Sequence, residues 1–263
     1  MTSRYLSRED APITPELWKI LDDTAIQAAK SVLAGRRLLH IEGPYGLGMK
    51  AVPLSDSEVK PGFLTSPSLP VSLIFKSFTL GKRNLASYER DGIALDLGAL
   101  AQAALDVARL EDALIFEGAA GVPGLLAVGG ANAVQLSDWG SVGKAAEDII
   151  EAVSALDSAG FHGPYGLGLA PSRHNLLFRL YPNGTISELE HLRTIVTDGV
   201  FKAPVLGDGG VVLATGRQFA SIVLGQDLAV GFVGPVAEEL EFSVSESLVL
   251  LIRQPQAICI LKA

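Results

Sequence analysis

The chain has 263 residues, of which 48% are hydrophobic, and this is enough apolar material for one large domain or two small ones. Its 29 acidic and 21 basic residues give a net charge of −8, and no run of Lys or Arg exceeds a pair, so we expect no nucleic-acid partner. The single cysteine excludes an internal disulfide and the common thiolate-built zinc and iron–sulfur sites.

The first predicted element is a helix over residues 13–33. Thr14 is suited to the N-cap, Pro15 to the first helical position, and apolar residues recur at spacings of three and four. Gly35 is predicted to end this helix. A short strand is expected over residues 37–41, before the glycine-rich stretch that begins at Gly43.

A proline-rich arm follows. Pro53, Pro61, Pro67 and Pro70 occur in a stretch that is too proline-rich for a central strand and long for a simple loop. We therefore predict an extended arm or hairpin that reaches away from the core and lies on a neighbour, because a lone two-stranded ribbon is marginal in water. After it we expect a strand over residues 71–80 and a helical or turn connection over 81–91.

The longest periodic stretch runs from Asp96 to Gly118. Its apolar residues recur at helical spacing, Asp96 can cap the first amides, and Gly118 can adopt the left-handed conformation that ends a helix. Alanines outnumber large side chains on the apolar face, so whatever packs there approaches closely. This stretch predicts one long helix, the spine of the fold.

The second half alternates helices with strands. The expected elements are a helix from Val142 that stops at Gly160, a strand over 165–170, a helix capped by Ser172 that runs through Leu180, a turn over 181–185 and a helix over 186–196. Short strands are expected at residues 205–206, 211–214, 222–224, 228–232, 242–244, 248–253 and 257–261. The last third is therefore predicted to be mostly sheet.

Residues with catalytic potential occur without the partners that catalysis requires. Glu188 and His191 form a Glu-x-x-His pair, but a di-iron centre needs a second such pair, so a solvated helix face is favoured. Glu111 and Asp112 are adjacent and point about 100° apart on a helix, which favours structural hydrogen bonding or pairing with Arg90 or Arg109 over shared catalysis.

The remaining candidates also favour structural roles. Cys259 lies in an apolar strand, where a thiol is normally inert, and His162 and His174 have no visible catalytic partner. The mean hydropathy of +0.34 is high for a chain with 19% charged residues, so we expect part of the apolar surface to be covered by other chains. The first ten residues have no apolar core and no window approaches 18 apolar residues, which predicts a cytoplasmic protein with no membrane partner.

Short motifs along nearly the whole chain resemble those of the encapsulins, the shell proteins of bacterial and archaeal nanocompartments. The matching stretches, in order, are 11–14 with Trp18, 33–37, 42–46, 78–80, 89–90, 111–118, 121–126, 163–165, 224–227 and 255–261. No single motif is diagnostic, but their order and spacing together are specific.

The resemblance implies an α+β fold, that of tailed-phage major capsid proteins, with a peripheral domain, an axial domain and an extended loop. The implied divisions are 1–48 for the N-terminal helix and the start of the peripheral domain, 49–77 for the extended loop, 78–132 for the peripheral domain with the spine helix, 133–223 for the axial domain, and 224–263 for C-terminal strands that return to the peripheral domain. The proline-rich arm would be the extended loop, lying across a neighbouring subunit.

Binding sites also follow from the resemblance. Cargo of this family docks through a short C-terminal peptide, and the matching positions here are Leu33, Arg36, Leu38, His40 and Phe232. Family members often carry aspartate where His40 stands, a departure that bears on the charge preference of this contact. The loop around the five-fold pore would contain Arg179, Tyr181, Pro182, Asn183, Gly184 and Thr185. Arg83 stands where flavin-binding relatives carry tryptophan, so we expect no flavin, and we expect no other cofactor or metal.

The implied function is that of a non-enzymatic shell subunit. On the order of 60 copies would close into an icosahedral shell around a cargo enzyme, of the iron-storage (ferritin-like) or peroxidase type. Two alternatives stay open: a prophage capsid protein that packages DNA, and an unrecognised hydrolytic enzyme that uses Glu111 or His174. Clustered basic residues would favour the first alternative, and an activity without a shell would favour the second.

Overall fold

The computed structural model describes residues 4–119, 121–182 and 184–263. The α-helices are α1 (Pro15–Lys30), α2 (Gly35–Leu38), α3 (Lys82–Asp91), α4 (Gly98–Phe116), α5 (Lys144–Ser158), α6 (Pro171–Leu176) and α7 (Glu188–Ile195). The β-strands are β1 (His40–Glu42), β2 (Ala51–Pro53), β3 (Ser57–Lys60), β4 (Phe63–Thr65), β5 (Ser68–Pro70), β6 (Ser72–Gly81), β7 (Gly118–Ala119), β8 (Val122–Pro123), β9 (Asn132–Gln135), β10 (Tyr165–Leu169), β11 (Gly199–Lys202), β12 (Gly210–Ala214), β13 (Ala220–Val236), β14 (Glu239–Ile252) and β15 (Ile258–Lys262).

The chain forms two compact units, each built from three stretches of sequence. Unit 1 contains the chain up to Val32, Gly43–Glu111 and Val223–Val249. Unit 2 contains Leu33–Glu42, Asp112–Ile222 and Leu250–Ala263. The division into peripheral domain, axial domain and extended loop stays a prediction.

Unit 1 packs α1 against a sheet. β6 pairs with β14 in antiparallel register, from Ser72 opposite Leu248 to Gly81 opposite Glu239. The aromatic core of the unit is formed by Trp18, Phe78 and Phe242, with ring centroids 5.8 Å apart for Trp18 and Phe242 and 5.5 Å apart for Phe78 and Phe242. Edge-to-face and stacked ring pairs of this kind add to the stabilisation that burial of their area already gives.

The N-terminal helix begins as predicted and ends earlier than predicted. The Thr14 hydroxyl accepts a hydrogen bond from the Leu17 amide at 3.3 Å, and Pro15 occupies the first turn. The helix ends at Lys30, so the expectation that Gly35 ends it is wrong: Gly35 instead begins α2. The strand expected over residues 37–41 is displaced for the same reason, and β1 starts only at His40.

The proline-rich arm is a double ribbon. β2 pairs with β5 and β3 pairs with β4, both antiparallel, as the prediction of an extended arm or hairpin requires. Every residue of β3 and β4 is exposed, including Val59, Phe63 and Leu64, which are 59%, 59% and 65% accessible. The tip of the ribbon therefore presents apolar side chains to solvent in the single chain.

The predicted spine helix is confirmed as α4. Asp96 accepts a hydrogen bond from the Gly98 amide at 2.9 Å, and Gly118 has a φ of +91°. On its apolar face Leu100, Ala104, Val107 and Ala108 are fully buried. Among the described residues, none of the helices combines the length and apolarity that a membrane crossing needs.

Unit 2 is built on a five-stranded sheet in the order β11-β10-β12-β15-β9. β10 and β12 run antiparallel, and β10 lies parallel to β11. Helix α5 covers this sheet, and Ile149 and Leu156 are buried with the strand residues Leu167, Leu169 and Val212. The last strand, β15, pairs with β12 and β9 and so belongs to the sheet of unit 2. Strands β13 and β14 belong to the other, four-stranded sheet.

Other differences concern where elements start and stop. The short strands expected at 222–224 and 228–232 are one continuous strand, β13, and those at 242–244 and 248–253 are one strand, β14. Gly225 lies inside β13 and does not end the strand. It lies close to Ser247, since a Cβ atom at this position would lie 2.5 Å from the Ser247 hydroxyl oxygen. Ser172 is not the cap of α6, since Pro171 already occupies the first turn and the helix ends at Leu176.

Candidate functional site

The segment that carries most of the predicted cargo-binding residues is held by a buried carboxylate. The two oxygens of Asp112 accept hydrogen bonds from the Ala34 and Gly35 amides, each at 2.9 Å, at the start of α2. Gly35 lies close to α4, since a Cβ atom there would lie 2.6 Å from Ile115 Cδ1. This confirms the structural hydrogen bonding predicted for Asp112. The predicted arginines form other ion pairs, Arg90 with Asp91 and Arg109 with Asp106.

The predicted cargo-binding residues differ in exposure and in position. Leu33 and Leu38 are buried in unit 2, whereas Arg36 is half-buried and His40 is exposed. Phe232 belongs to unit 1, where it is half-buried and packs against Phe242, with ring centroids 5.5 Å apart.

Leu38 and His40 line one open groove in unit 2. Its other walls are formed by Arg37, Leu39, Pro164, Asp198, Thr215 and Gly216. The Leu38 side chain is buried against Gly168, where a Cβ atom would lie 2.8 Å from Leu38 Cδ1. Apolar, basic and acidic residues line the groove together, so it can offer both apolar and charged contacts.

The position of α2 is expected to depend on Asp112. Replacing Asp112 by alanine leaves two buried amides without these acceptors, and we expect the free energy of unfolding to fall by about 2–4 kcal/mol. Urea unfolding followed by tryptophan fluorescence measures the change. The matched control is Asp112→Asn, which keeps one acceptor oxygen and is expected to lose about half as much. Equal stability of Asp112→Ala and the wild type would contradict this role.

The predicted pore loop is held at its base by an ion pair between half-buried Arg179 and buried Glu188. Arg179 donates to the Glu188 carboxylate at 3.0 Å and to the Leu176 carbonyl at 2.9 Å. Glu188 is fully buried and its other oxygen accepts from the Gly143 amide at 2.7 Å. The guanidinium of Arg179 is thus engaged with the protein and its charge is balanced by that of Glu188.

The tip of this loop is exposed. Pro182, Gly184 and Thr185 are accessible to solvent, whereas Asn183 lies outside the described residues. Tyr181 is half-buried, and its hydroxyl lies 2.7 Å from Nδ1 of His191. Backbone hydrogen bonds from Tyr181 to Ile186 and from Glu188 to Arg179 close the loop into a narrow hairpin.

The prediction that Glu188 and His191 lie on a solvated helix face is wrong. Glu188 is not on a solvated helix face, because it is buried with Arg179, and His191 is bonded to Tyr181. In the part of the chain that the structure describes, no group of three or more His, Cys, Asp and Glu side chains could hold a metal ion. The pair therefore stabilises the loop in the described structure.

The surroundings of Cys259, His162 and His174 favour structural roles. Burial raises the pKa of Cys259 to about 11, so its thiol stays protonated at neutral pH and is a poor nucleophile. His162 is exposed and its Nδ1 lies 3.0 Å from an oxygen of Asp157. His174 is buried in α6. Arg83 is exposed in the first turn of α3.

A charge cluster around the buried carboxylate of Glu42 in unit 2 has no counterpart among the sequence-based predictions. Glu42 accepts hydrogen bonds from Arg253 at 2.7 Å, from Arg217 at 3.1 Å and from the Ser221 hydroxyl. Burial alone would raise the pKa of Glu42, but the three hydrogen bonds together with the charge of Arg253 lower it to about 2. No local pattern could reveal this cluster, since Glu42 and Arg253 are 211 residues apart in the chain.

Comparisons with known proteins agree with the fold and cover nearly the whole chain. Residues 2–249 match the family model Linocin_M18, described as an encapsulating protein for peroxidase. The chain is 34% identical to the type 1 encapsulin shell protein EncA of Myxococcus xanthus, over 98% of this chain and 96% of that protein. It is 32% identical to a diheme-cytochrome-encapsulin shell fusion protein of Kuenenia stuttgartiensis, over 95% of this chain and 74% of that protein.

Solved structures share the fold at lower identity. The virus-like particle from Pyrococcus furiosus matches with a TM-score of 0.76 and 22% identity, over 94% of this chain and 100% of that chain. The capsid of Myoviridae phage XM1 matches with a TM-score of 0.58 and 14% identity, over 84% of this chain and 88% of that chain. The α+β fold is therefore the fold of phage capsid proteins.

Proposed function

Because this chain belongs to the encapsulin shell protein family, we propose that it is a shell subunit whose copies close into an icosahedral container around a cargo protein. On the order of 60 copies, or a multiple, satisfy that symmetry. The role is structural, and any catalysis belongs to the enclosed protein.

The exposed ribbon β2–β5 is the observation that best supports assembly. Its outer strands pair only with each other among the described residues, and both carry exposed apolar side chains at Val59, Phe63 and Leu64. A two-stranded ribbon with an apolar tip is marginal by itself and gains stability when it lies on another surface. A neighbouring copy of the same chain supplies that surface in a closed shell.

Electron microscopy of the purified chain tests the proposal. We expect round particles of uniform diameter, together with elution in size-exclusion chromatography far ahead of a 27.6 kDa monomer. A monodisperse 27.6 kDa species in mild buffer would overturn the proposal. Particles that contain DNA and keep it during nuclease treatment would instead favour the prophage alternative, which the net charge of −8 argues against.

We further propose that the cargo peptide contacts the unit 2 segment that contains Leu33, Arg36, Leu38 and His40, whereas Phe232 of unit 1 stays a separate candidate contact. The groove lined by Leu38 and His40 also has Arg37 and Asp198 in its walls, which suits an extended peptide fixed by a few polar contacts. The matched description names peroxidase and a relative is fused to a diheme cytochrome, so we propose a redox-active cargo of the peroxidase or ferritin-like type, enclosed in the cytoplasm.

The side chain at position 40 is expected to influence which charges on the cargo peptide this site favours. An aspartate at this place adds a negative charge that a histidine side chain does not carry. Changing His40→Asp is therefore expected to alter how much cargo stays in the shell. Cargo that co-purifies with shells is quantified by gel densitometry after washing at neutral pH. His162→Asp, on another exposed histidine, is the control, and identical retention for His40→Asp and wild type would rule out the contact.

The hairpin loop at residues 179–187 is our candidate for the pore rim. Its exposed members, Pro182, Gly184 and Thr185, carry no charge, and the charge of Arg179 is balanced by Glu188. We therefore propose a pore that selects small molecules chiefly by size.

A further inference from the structure

The helix that leads into the candidate pore rim contains a buried histidine with an unsatisfied ring nitrogen. His174 lies in α6 and is 8% exposed. Its Nδ1 atom is buried and has no hydrogen-bond partner in the described part of the chain. The ring packs edge-on against Phe178, with centroids 5.7 Å apart. Such a site suits a neutral imidazole, because a protonated ring would place an N–H donor and a positive charge where neither is solvated.

The charged groups around His174 add to the cost of a proton. Lys202 of β11 and Arg193 of α7 both act on the ring with positive charge. On α6 itself the neighbouring Arg173 is held by Asp208, whose carboxylate accepts from its Nε at 2.7 Å. Burial is the largest cause that lowers the pKa of His174 below its ordinary value of 6.5, and the two cations lower the pKa further.

Hydrogen bonds connect α6 directly to the loop. The Leu177 amide donates to the His174 carbonyl at 3.2 Å, and the Arg179 amide and guanidinium both donate to the Leu176 carbonyl. Further along, the Leu189 amide donates to the Leu177 carbonyl at 2.8 Å. A displacement of α6 therefore moves the base of the hairpin, whose tip we place at the pore rim.

We propose that His174 is an acid-sensitive switch: when its buried ring takes up a proton, α6 and the attached loop at 179–187 lose their packed position and the shell opens. This inference rests on the proposed shell function and adds a mode of regulation to it. The unfolded or displaced chain binds the proton more readily than the packed one, so the packed state is fully favoured above the ordinary histidine pKa and loses stability as the pH falls below it. Glu42, whose pKa is about 2, titrates in a separate and much more acidic range.

The test compares acid-induced opening of wild-type shells with that of His174→Leu shells, which have no titratable group at this position. Light scattering and electron microscopy follow particles from pH 8 down to pH 4. We expect wild-type shells to open in mildly acidic buffer and the midpoint for His174→Leu to lie lower by about one pH unit. His174→Gln, which stays polar but does not titrate, is the second variant in case leucine disturbs folding, and its midpoint is expected to shift in the same direction.

A further variant provides the control at another histidine of unit 2. His162→Gln removes an exposed ring bonded to Asp157. We expect these shells to open at the wild-type pH. Equal midpoints for wild type and both His174 variants would overturn the proposal.

A second measurement tests the His174 switch independently of whether the chain forms shells. Hydrogen–deuterium exchange of residues 171–180 is compared for wild type and His174→Leu at the same pH, so that intrinsic exchange rates cancel. Faster exchange in the wild type at pH 5.5 and equal exchange at pH 8 is expected, whether or not the chain forms shells. If no particles form at any pH, the shell function fails; if the exchange of the two proteins is equal at both pH values, the switch fails.

Discussion

Removing the tip of the exposed ribbon is expected to abolish shell formation while leaving a folded chain. Pro53 and Ser68 face each other at the end of the β2–β5 pair, so residues 54–67 can be replaced by an Asn-Gly turn that closes a two-residue hairpin. The deleted strands β3 and β4 are exposed throughout and contribute nothing to the buried core. Size-exclusion chromatography with light scattering measures the assembly state, and circular dichroism measures the fold.

A matched pair of point variants tells whether apolar contact drives this assembly. Replacing Val59, Phe63 and Leu64 by serine removes the apolar tip and is expected to reduce shell yield at least about tenfold, because each exposed side chain of this kind gains about 1.5 kcal/mol or more on burial. The control combines Ser57→Ala with Lys60→Gln on the same ribbon and is expected to assemble normally. Full-size shells from the deletion variant would contradict the assignment of the ribbon to an intersubunit contact.

Loss of the Glu42 carboxylate is expected to destabilise unit 2 strongly. Glu42→Ala leaves Arg217, Arg253 and Ser221 without their shared acceptor, and we expect a loss of about 3 kcal/mol in the free energy of unfolding. Urea unfolding at pH 7 measures it. Arg217→Gln is the control: the Arg217 side chain is 65% exposed, so its removal is expected to cost less than about 1 kcal/mol.

The Glu42 carboxylate is also expected to make the stability of the folded chain depend on pH in the acidic range. Its pKa in the folded chain is about 2, below the ordinary value of 4.5, so its contribution is complete above pH 4.5 and is lost as the pH falls toward 2. Wild-type stability is therefore expected to decline between these pH values by more than that of Glu42→Gln, which cannot ionise. Parallel pH profiles for the two proteins would show that Glu42 is not the titrating group.

Several elements were predictable because their causes are local. The limits of α4 follow from Asp96 and Gly118, and the start of α1 follows from Thr14 and Pro15, since caps and terminators act within one helical turn. The ribbon followed from its prolines. The role of Gly35 was predicted wrongly because its amide is held by Asp112 at the start of α2, a contact between residues 77 positions apart that no spacing along the chain reveals.

Helices α1, α4 and α5, the ribbon, the apolar excess and, through the order of the motifs, the resemblance to encapsulins can all be read from the amino-acid sequence. The burial of Glu188 against Arg179 and Gly143, the binding of Glu42 to Arg217 and Arg253, and the burial of His174 arise from tertiary packing. The physical reason is that burial and charge pairing join groups far apart in the chain, so the same residue types are solvated or enclosed according to packing alone.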